Sequence, residues 1–305
     1  MELGHDMHAF IMRRGGRAEP ARTAFPNTHF GWSSHEKLTE QAWLILRSVL
    51  CMMRHGKQLA QADVIVARNL DMLAIARASR VPLVYECLDI HKAKVGTGGK
   101  SRLMCAAERF LLRRISVLAP SSSACVTRFF QPVQGYDGPH VLWEKKLPRL
   151  PEMPARPVAS LVCRQGPLRL GMVGSLRCRP LILLLTEVAR RLGSGRIEAT
   201  LHGYVQAHET SDFDALIAGV PNVHWHGANA GLTKTPQVNA GCDGVWNTDL
   251  WLKAGGSSDW ALSSRLYEAS WCGCLSIGIE GIEIARSITA TPMAGPCATR
   301  PTRIP

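Results

Sequence analysis

The sequence has few aromatic residues and no long apolar run. Phe, Trp and Tyr together make up 6% of the 305 residues. The longest apolar segments, 42–53 and 181–185, fall far short of the ~20 residues that a membrane-spanning helix requires. The first residues also lack the charged, apolar and cleavage regions of a secretory signal. These absences predict a cytoplasmic protein, either soluble or attached peripherally to the inner face of the membrane.

The ten cysteines do not follow the spacing of a disulfide scaffold or a zinc site. Cys272 and Cys274 are separated by a single residue, which is too close for the usual zinc pair. Most other cysteines lie in apolar stretches, where a thiol acts as a small hydrophobic group. His224 and His226 share one strand face, but no third ligand is in sight. We therefore expect reduced cysteines and no metal.

Positive charge is in excess. The chain carries 36 Lys and Arg against 24 Asp and Glu, a net charge of +12. Such a balance favours an anionic partner, which is a nucleic acid, an acidic lipid surface or a phosphorylated substrate. The basic residues are dispersed and are not interleaved with aromatics, which argues against nucleic acid. No Gly-x-Gly-x-x-Gly motif follows a strand, which argues against a dinucleotide-dependent oxidoreductase.

Short apolar strands alternate with helical periods in two successive series, which predicts an α/β fold with two Rossmann-like domains. The first series has expected strands at 64–67, 81–88, 117–120 and 140–143, with helices at 39–61, 70–79 and 101–115 between and before them. Five prolines between 148 and 167 mark a linker. The second series has expected strands at 168–174, 197–203, 223–227, 244–251 and 275–279. We place the domains at 1–150 and 168–287, joined by the linker 151–167.

Both ends of the chain depart from this pattern. Residues 1–38 offer one weak strand, 8–12, so we expect an opening βα unit to be missing and the first domain to be incomplete. Residues 288–305 carry four prolines and no amphipathic period, which predicts a disordered tail. We expect the sequence to be a truncated or frame-shifted reading of a longer gene.

The most informative segment runs from Ser263 to Gly273 and leads into the strand 275–279. It predicts a short helix that carries Glu268 near the carboxyl edge of a parallel sheet, where open α/β sheets bind nucleotides. Residues 259–268 resemble the W-x-L-x-N-R-x-Y-E segment of retaining GT-B glycosyltransferases, family-4-like and of the bacterial exopolysaccharide type. The resemblance extends over roughly 60–285, and it implies that Glu268 holds the ribose of a sugar nucleotide.

The sequence departs from this family at one acidic position. The family carries a second glutamate eight residues earlier, where this chain has Trp260. The candidate replacements are Asp259, which is the nearest acid, and the backbone of Ser257 and Ser258.

A second motif is the loop from Gly171 to Pro180. A strand, a glycine turn and a helix start present backbone N–H groups and partial positive charge to an anion. Arg177 and Arg179 add bidentate donors for phosphate, and the resemblance implies that they face the diphosphate. The expected donor-binding residues are Gly174, Ser175, Asp249, Asp259, Arg265 and Tyr267.

The first domain offers polar residues after two strands. Glu86, Asp89 and His91 follow one strand, and Arg68 and Asn69 follow another. We expect Arg68, Asn69, Glu86 and Asp89 on the acceptor side. The resemblance implies that His91 reaches the donor sugar, so the expected catalytic residues are Arg177, Arg179, Glu268 and His91.

The resemblance implies a retaining hexosyltransferase. Domain 1–150 would bind the acceptor, a saccharide or a lipid-linked saccharide, and domain 168–287 would bind a nucleoside-diphosphate sugar. No cofactor is expected, and no nucleic acid. Positive charge favours peripheral contact with an acidic membrane. Two alternatives stay open: an inactive fragment of such an enzyme, and a nucleotide-binding protein of another class.

Overall fold

The computed structural model describes most of the chain, in seven stretches. These are residues 4–14, 25–33, 38–147, 166–206, 209–227, 235–248 and 259–290. They belong to two compact units. The first unit consists of Met1–Leu88, Leu103–Pro120 and Gln131–Leu142, and the second of Asp89–Arg102, Ser121–Phe130 and Trp143–Pro305. Three segments of the first 150 residues therefore belong to the second unit. Residues 148–165 lie outside the described stretches, so the linker at 151–167 stays a prediction.

The first unit has five parallel strands in two sheets. They are β1 (Ala9–Arg14), β2 (Asn27–Ser33), β3 (Ile65–Arg68), β4 (Leu83–Cys87) and β5 (Val117–Pro120). Strands β1 and β2 pair with each other, and the other three form a sheet in the order β3-β4-β5. The helices are α1 (Leu38–Arg54), α2 (Gly56–Leu59), α3 (Asn69–Ala76) and α4 (Gly99–Leu112), of which residues 99–102 are grouped with the second unit. Phe30, Met52, Leu59 and Ile75 form a core cluster beside the first sheet.

The structure corrects two expectations in this unit. Strand β2 was missed, because its sequence is mostly polar and only Phe30 is buried among its first six residues. The expected strand at 140–143 is a single bridge between Leu118 and His140, because little of this segment's apolar surface is covered.

The second unit has one five-stranded parallel sheet. Its strands are β6 (Leu168–Val173), β7 (Ile197–His202), β8 (Val223–Trp225), β9 (Gly244–Trp246) and β10 (Leu275–Ile277). The helices are α5 (Ser123–Cys125), which continues as a π-helical turn (Val126–Phe130), α6 (Arg179–Leu192), α7 (Phe213–Ile217), α8 (Thr235–Ala240), α9 (Ser264–Trp271) and α10 (Glu283–Ala290). Helix α6 buries Leu181, Ile182 and Leu185 in a core shared with Met172 and Leu201 of the sheet.

The strand order of this sheet is β10-β9-β6-β7-β8. The chain moves outward from β6 to β8 and then returns to the other side of β6 for β9 and β10. The order therefore reverses between β6 and β9. In open α/β sheets, ligands bind outside the carboxyl ends of the strands at this switch point.

Two ends of elements differ from the sequence analysis. Strand β9 stops at Trp246, short of the expected 251, and residues 249–251 lie outside the described stretches. Helix α10 reaches Ala290, three residues into the expected disordered tail. Ile284 and Ile288, one turn apart, pack into a cluster with Leu262 and Leu266, which accounts for the helix. The rest of the tail is not described.

Three properties of the described residues bear on the class of protein. No helix in these stretches combines the length and apolarity needed to cross a bilayer. Their eight cysteines form no disulfide. No three His, Cys, Asp or Glu side chains in them are placed to hold a metal ion.

The two histidines of the 223–227 segment contact other side chains. His226 stacks on His202 with ring centroids 4.6 Å apart, and His224 Nε2 lies 3.5 Å from a Glu198 oxygen.

Candidate functional site

Gly174 and Gly203 lie at the carboxyl ends of β6 and β7, where they form a surface without side chains that we term the glycine floor. Both residues have a positive φ, 120° for Gly174 and 150° for Gly203. A Cβ on Gly203 would stand 1.5 Å from the carbonyl oxygen of Gly174, so this position requires glycine. The Gly174 N–H donates to the His202 carbonyl at 2.8 Å. The backbones of neighbouring strands thus meet closely, and a ligand can approach main chain directly.

The loop after β6 leads from this floor into α6. The Gln206 side-chain amide donates to the Ser175 hydroxyl at 2.8 Å, and Leu176 forms a bridge with Val205, so the loop is held against the segment after β7. The N-terminus of α6 follows directly and presents the positive end of a 14-residue helix. This arrangement suits an anion.

The two arginines of the loop have different surroundings. Arg177 is exposed in the loop itself. Arg179, the first residue of α6, donates to both carboxylate oxygens of Asp212, with its shortest contact 2.7 Å from Nη2 to Oδ2. This bond raises the pKa of Arg179 and lowers that of Asp212. The guanidinium of Arg179 is thus engaged with a carboxylate in this structure, which the sequence analysis did not anticipate.

Helix α9 supplies the buried acid of the site. Glu268 is 8% exposed, and burial raises the pKa of its carboxyl, while the positive charge of Arg265 opposes this shift. No hydrogen-bond donor from the described stretches reaches the carboxylate. Arg265 lies one turn earlier, and a Cβ on Gly174 would stand 3.8 Å from its Cδ. Arg265 on α9 therefore approaches Gly174 at the end of β6, and Glu268 follows one turn later on the same helix.

Tyr267 fixes α9 to a segment that precedes the linker. Its hydroxyl donates to Glu144 Oε1 at 2.9 Å, and Lys146 Nζ lies 2.6 Å from Glu144 Oε2. The hydrogen bond from Lys146 lowers the pKa of Glu144, while burial and the Glu144 carboxylate raise the pKa of Tyr267. Tyr267 thus positions α9 through its hydroxyl. Sequence analysis did not foresee Glu144 in this role, because the two residues are 123 positions apart.

The start of the family-like segment is also anchored. The hydroxyl of Ser122 donates to the carbonyl of Trp260, and the Trp260 ring lies 5.9 Å from that of Phe129. Beside it, burial raises the pKa of Asp259, and the charge of Arg128 opposes the shift. Asp259, the candidate for the place of the family's first glutamate, is therefore a partly desolvated acid, and burial favours its protonated form more than exposure would.

The end of β9 contributes two polar residues that sequence analysis missed. Asn247 and Thr248 are fully buried, and within the described stretches neither side chain has a hydrogen-bond partner. They follow β9, which is the far side of the switch point from Gly174. A buried amide and a buried hydroxyl without hydrogen-bond partners at a strand end indicate a candidate binding position. A sequence alone does not show burial or missing partners, so these two residues could be found only from the structure. Asp249, the next residue, lies outside the described stretches.

Two expected residues from the first half belong to the second unit. Asp89 accepts a bond from Lys145 Nζ at 3.1 Å. His91 is exposed, and its Nδ1 accepts from the Ala93 N–H at 3.2 Å.

The remaining expected acceptor-side residues lie in the first unit. Arg68 makes a bidentate pair with the buried Glu86, at 2.8 and 2.9 Å. Asn69 begins α3 with a φ of 67°, a left-handed conformation that asparagine tolerates. The pair means that Arg68 and Glu86 neutralise each other at the carboxyl ends of β3 and β4.

Comparison with known proteins identifies relatives. No protein-family model matches the chain. Over 286 residues it is 31% identical to the succinoglycan biosynthesis protein ExoL of Rhizobium meliloti, a match that spans 91% of this chain and 70% of ExoL. The chain belongs to the ExoL family.

Solved structures show the fold. Sucrose-phosphate synthase from Thermosynechococcus elongatus has a TM-score of 0.67 at 12% identity, with 90% of this chain and 71% of that one covered. HepE from Anabaena, solved with UDP and glucose, has a TM-score of 0.61 at 16% identity and covers 92% and 82%. WaaG, a glycosyltransferase of lipopolysaccharide biosynthesis, has a TM-score of 0.61 at 16% identity and covers 95% and 76%. This member of the ExoL family therefore has the GT-B fold, as the sequence analysis predicted.

Proposed function

We propose that this protein transfers a hexose from a nucleoside-diphosphate sugar to a saccharide or lipid-linked acceptor, with retention at the anomeric carbon. The observation that carries the proposal is the approach of Arg265, one turn before the buried Glu268 on α9, to Gly174 at the switch point of the second sheet. HepE, which shares this fold, was solved with UDP and glucose, and ExoL is named for polysaccharide biosynthesis. Both facts favour a sugar nucleotide as the ligand.

The diphosphate would lie over Gly174 and Ser175 at the N-terminus of α6. Arg177 is exposed beside this position, and Arg265 approaches Gly174 from α9. Guanidinium groups there would stabilise the negative charge that develops on the leaving diphosphate, which lowers the barrier of the chemical step. Arg179 would contribute its charge while paired with Asp212, and would contact phosphate directly only by exchanging that partner.

Glu268 would accept hydrogen bonds from the ribose hydroxyls. A carboxylate that burial has desolvated and that has no protein donor gains most from a ligand donor, because the ligand restores the bonds lost from water. The side chains of Asn247 and Thr248, buried without partners in the described stretches, would add neutral donors and acceptors to the same pocket. Asp249 remains a candidate beside them.

The sugar end is proposed to involve His91, Asp259 and Asp89. His91 would contact a sugar hydroxyl, and Asp259 would take the place of the family's missing glutamate. Arg68, Asn69 and Glu86 are proposed for the acceptor side. We propose that an acidic membrane surface is the place where a lipid-linked acceptor is met, because the chain carries a net charge of +12.

Calorimetric titration with UDP, GDP and uridine tests the donor site. We expect Glu268→Ala to weaken the binding of UDP, GDP and uridine, because all three contain ribose. Arg177→Ala should weaken UDP about tenfold or more and leave uridine unchanged, since only UDP carries phosphates. Glu187→Ala and Arg190→Ala, which alter exposed residues of α6, are the matched controls. Equal binding by all variants would show that the site is wrongly assigned.

Transfer is tested by incubating the protein with a panel of sugar nucleotides and saccharide acceptors. Proton NMR of the product would show an anomeric configuration equal to that of the donor. An inverted product would refute retention, and nucleotide binding without any transfer would favour the inactive fragment.

A further inference from the structure

Helix α1 of the first unit is apolar on two opposite faces. One face, with Leu44, Ser48 and Met52, is buried against the unit. The other carries four large apolar side chains, each more than half exposed. They are Trp43 (67%), Leu46 (53%), Leu50 (54%) and Met53 (65%). At 100° per residue the four lie within an arc of about 80°. A surface helix normally turns polar residues outward, so this face needs a partner that is itself apolar.

Two arginines run along one side of this apolar stripe. Arg47 and Arg54 are two turns apart, are exposed, and form no ion pair with any carboxylate in the described stretches. Both line a cavity of about 250 Å³, together with His29, Phe30, Leu50 and Cys51. The helix thus presents a row of apolar side chains beside a row of guanidinium groups. This pattern matches a phospholipid surface, where acyl chains lie next to phosphates.

We propose that this surface, the α1 face formed by Trp43, Leu46, Arg47, Leu50, Met53 and Arg54, docks on an anionic phospholipid bilayer. Apolar side chains would enter the headgroup boundary, and the arginines would bind lipid phosphates at the mouth of the cavity. Tryptophan suits such a boundary because its ring is apolar and its N–H is polar. A second copy of this chain fits less well, since it would bring the same arginines and the same net charge of +12 against this face.

The docking surface gives a location in the first unit to the membrane contact proposed above, and it rests on that part of the proposed function. Its geometry does not rest on the proposed donor site. Titration of each variant with UDP keeps the two proposals apart. Variants of the α1 face should bind UDP like the wild type, whatever the strength of that binding. A failure of the donor proposal would therefore leave the lipid result standing, and the reverse holds as well.

Vesicle co-sedimentation tests the docking surface. The full chain is mixed with vesicles of phosphatidylcholine alone and with vesicles in which part of the lipid is phosphatidylglycerol. Two double variants remove one feature each: Leu46→Ser with Leu50→Ser, and Arg47→Gln with Arg54→Gln. The matched controls on α6 are Leu183→Ser with Leu184→Ser, and Arg190→Gln with Arg191→Gln. Circular dichroism checks that every variant is folded.

We expect the wild type to bind the anionic vesicles and to bind phosphatidylcholine at least tenfold more weakly. Loss of the two arginines should weaken binding about fivefold for each charge, and loss of the two leucines should weaken it for both vesicle types. The α6 controls should behave like the wild type. Added salt should weaken vesicle binding by the wild type more than by the variant without the two arginines, because salt screens the attraction between the arginines and the lipid phosphates.

Three results would overturn the proposal. One is a wild type that does not sediment with anionic vesicles. Another is sedimentation of the α1 variants equal to that of the wild type. The third is a dimer in sedimentation equilibrium that Leu46→Ser with Leu50→Ser converts to a monomer, which would assign the α1 face to a second copy of the chain.

Discussion

At the scale of a single residue, the buried carboxyl of Glu268 makes the stability of the protein depend on pH. Burial raises the pKa of its carboxyl above the ordinary value of 4.5. The folded state therefore holds the proton more tightly than the unfolded state, and the stabilisation is complete below the unfolded pKa. It is lost as pH rises through the higher folded pKa. A neutral isostere is free of this loss.

We expect Glu268→Gln to be more stable than the wild type at pH 7, and to show a smaller difference near pH 4, where the wild-type carboxyl is protonated. Urea unfolding at both pH values measures this. Glu187→Gln, at an exposed position of α6, should show no such pH-dependent gain. A Glu268→Gln variant that loses stability at pH 7 would mean that the carboxylate has a stabilising partner.

The two arginines of the loop after β6 should differ in their effect on nucleotide binding. Arg179 is held by Asp212, and the diphosphate is proposed to lie at the loop that carries Arg177. We therefore expect Arg179→Ala to weaken the binding of UDP less than Arg177→Ala does. Calorimetry on both variants, with Arg190→Ala as the control, gives the comparison. The reverse order would mean that Arg179 exchanges Asp212 for the phosphates.

These residues also show what sequence can predict at this scale. The position of Glu268 on a helix was predicted from a helical segment followed by a glycine turn and an apolar run, although the strand formed by that run, β10, is only partly buried. The partner of Arg179 did not, since Asp212 is 33 residues away. Equally, the absence of a hydrogen-bond partner for the Asn247 side chain within the described stretches depends on which segments surround the end of β9, and no local sequence pattern records that.

At the scale of elements, the meeting of β6 and β7 depends on Gly203. We expect Gly203→Ala to lower the free energy of unfolding by about 2–4 kcal/mol, because the added methyl overlaps the Gly174 carbonyl and the φ is unfavourable for alanine. Denaturant unfolding measures the change. Gly195→Ala is the matched control, because a Cβ there meets nothing within 4 Å.

A small effect of Gly203→Ala, similar to that of Gly195→Ala, would show that the strand ends are not in close contact. Titration of a folded Gly203→Ala variant with UDP gives a second test. We expect weaker binding of UDP, because the added methyl would displace the backbone of Gly174.

The elements themselves were predictable where burial was continuous. Strands β3 to β5 and β6 to β8 carry short apolar runs between helical periods, and each was placed within a few residues. Strand β2 has no such run, because it pairs with β1 alone and buries little beyond Phe30. The π-helical turn after α5 and the helix α8 are short, so their sequences give too few periods to detect.

For the whole molecule, local signals predicted an α/β chain but not the grouping of its segments. Asp89–Arg102, Ser121–Phe130 and the segment from Trp143 belong to the second unit, although they lie between strands of the first. Bonds such as Tyr267 to Glu144 carry this grouping. Such contacts join residues more than a hundred positions apart, and a single sequence does not reveal them.

We expect UDP to protect the second unit selectively. A ligand that binds only the folded state stabilises it by about 2.7 kcal/mol at a concentration 100 times its dissociation constant. Hydrogen exchange with and without UDP should therefore slow in α6, in α9 and in the loop after β6. Equal protection of β3 to β5 in the first unit, or none anywhere, would be inconsistent with a nucleotide site in the second unit.

A crystal structure of the protein with UDP tests the central claim most directly. The account predicts the diphosphate at the N-terminus of α6, within reach of Arg177 and over Gly174, with a ribose hydroxyl bonded to Glu268. A nucleotide bound away from the carboxyl ends of β6 and β9, with Glu268 making no contact to it, would contradict the account.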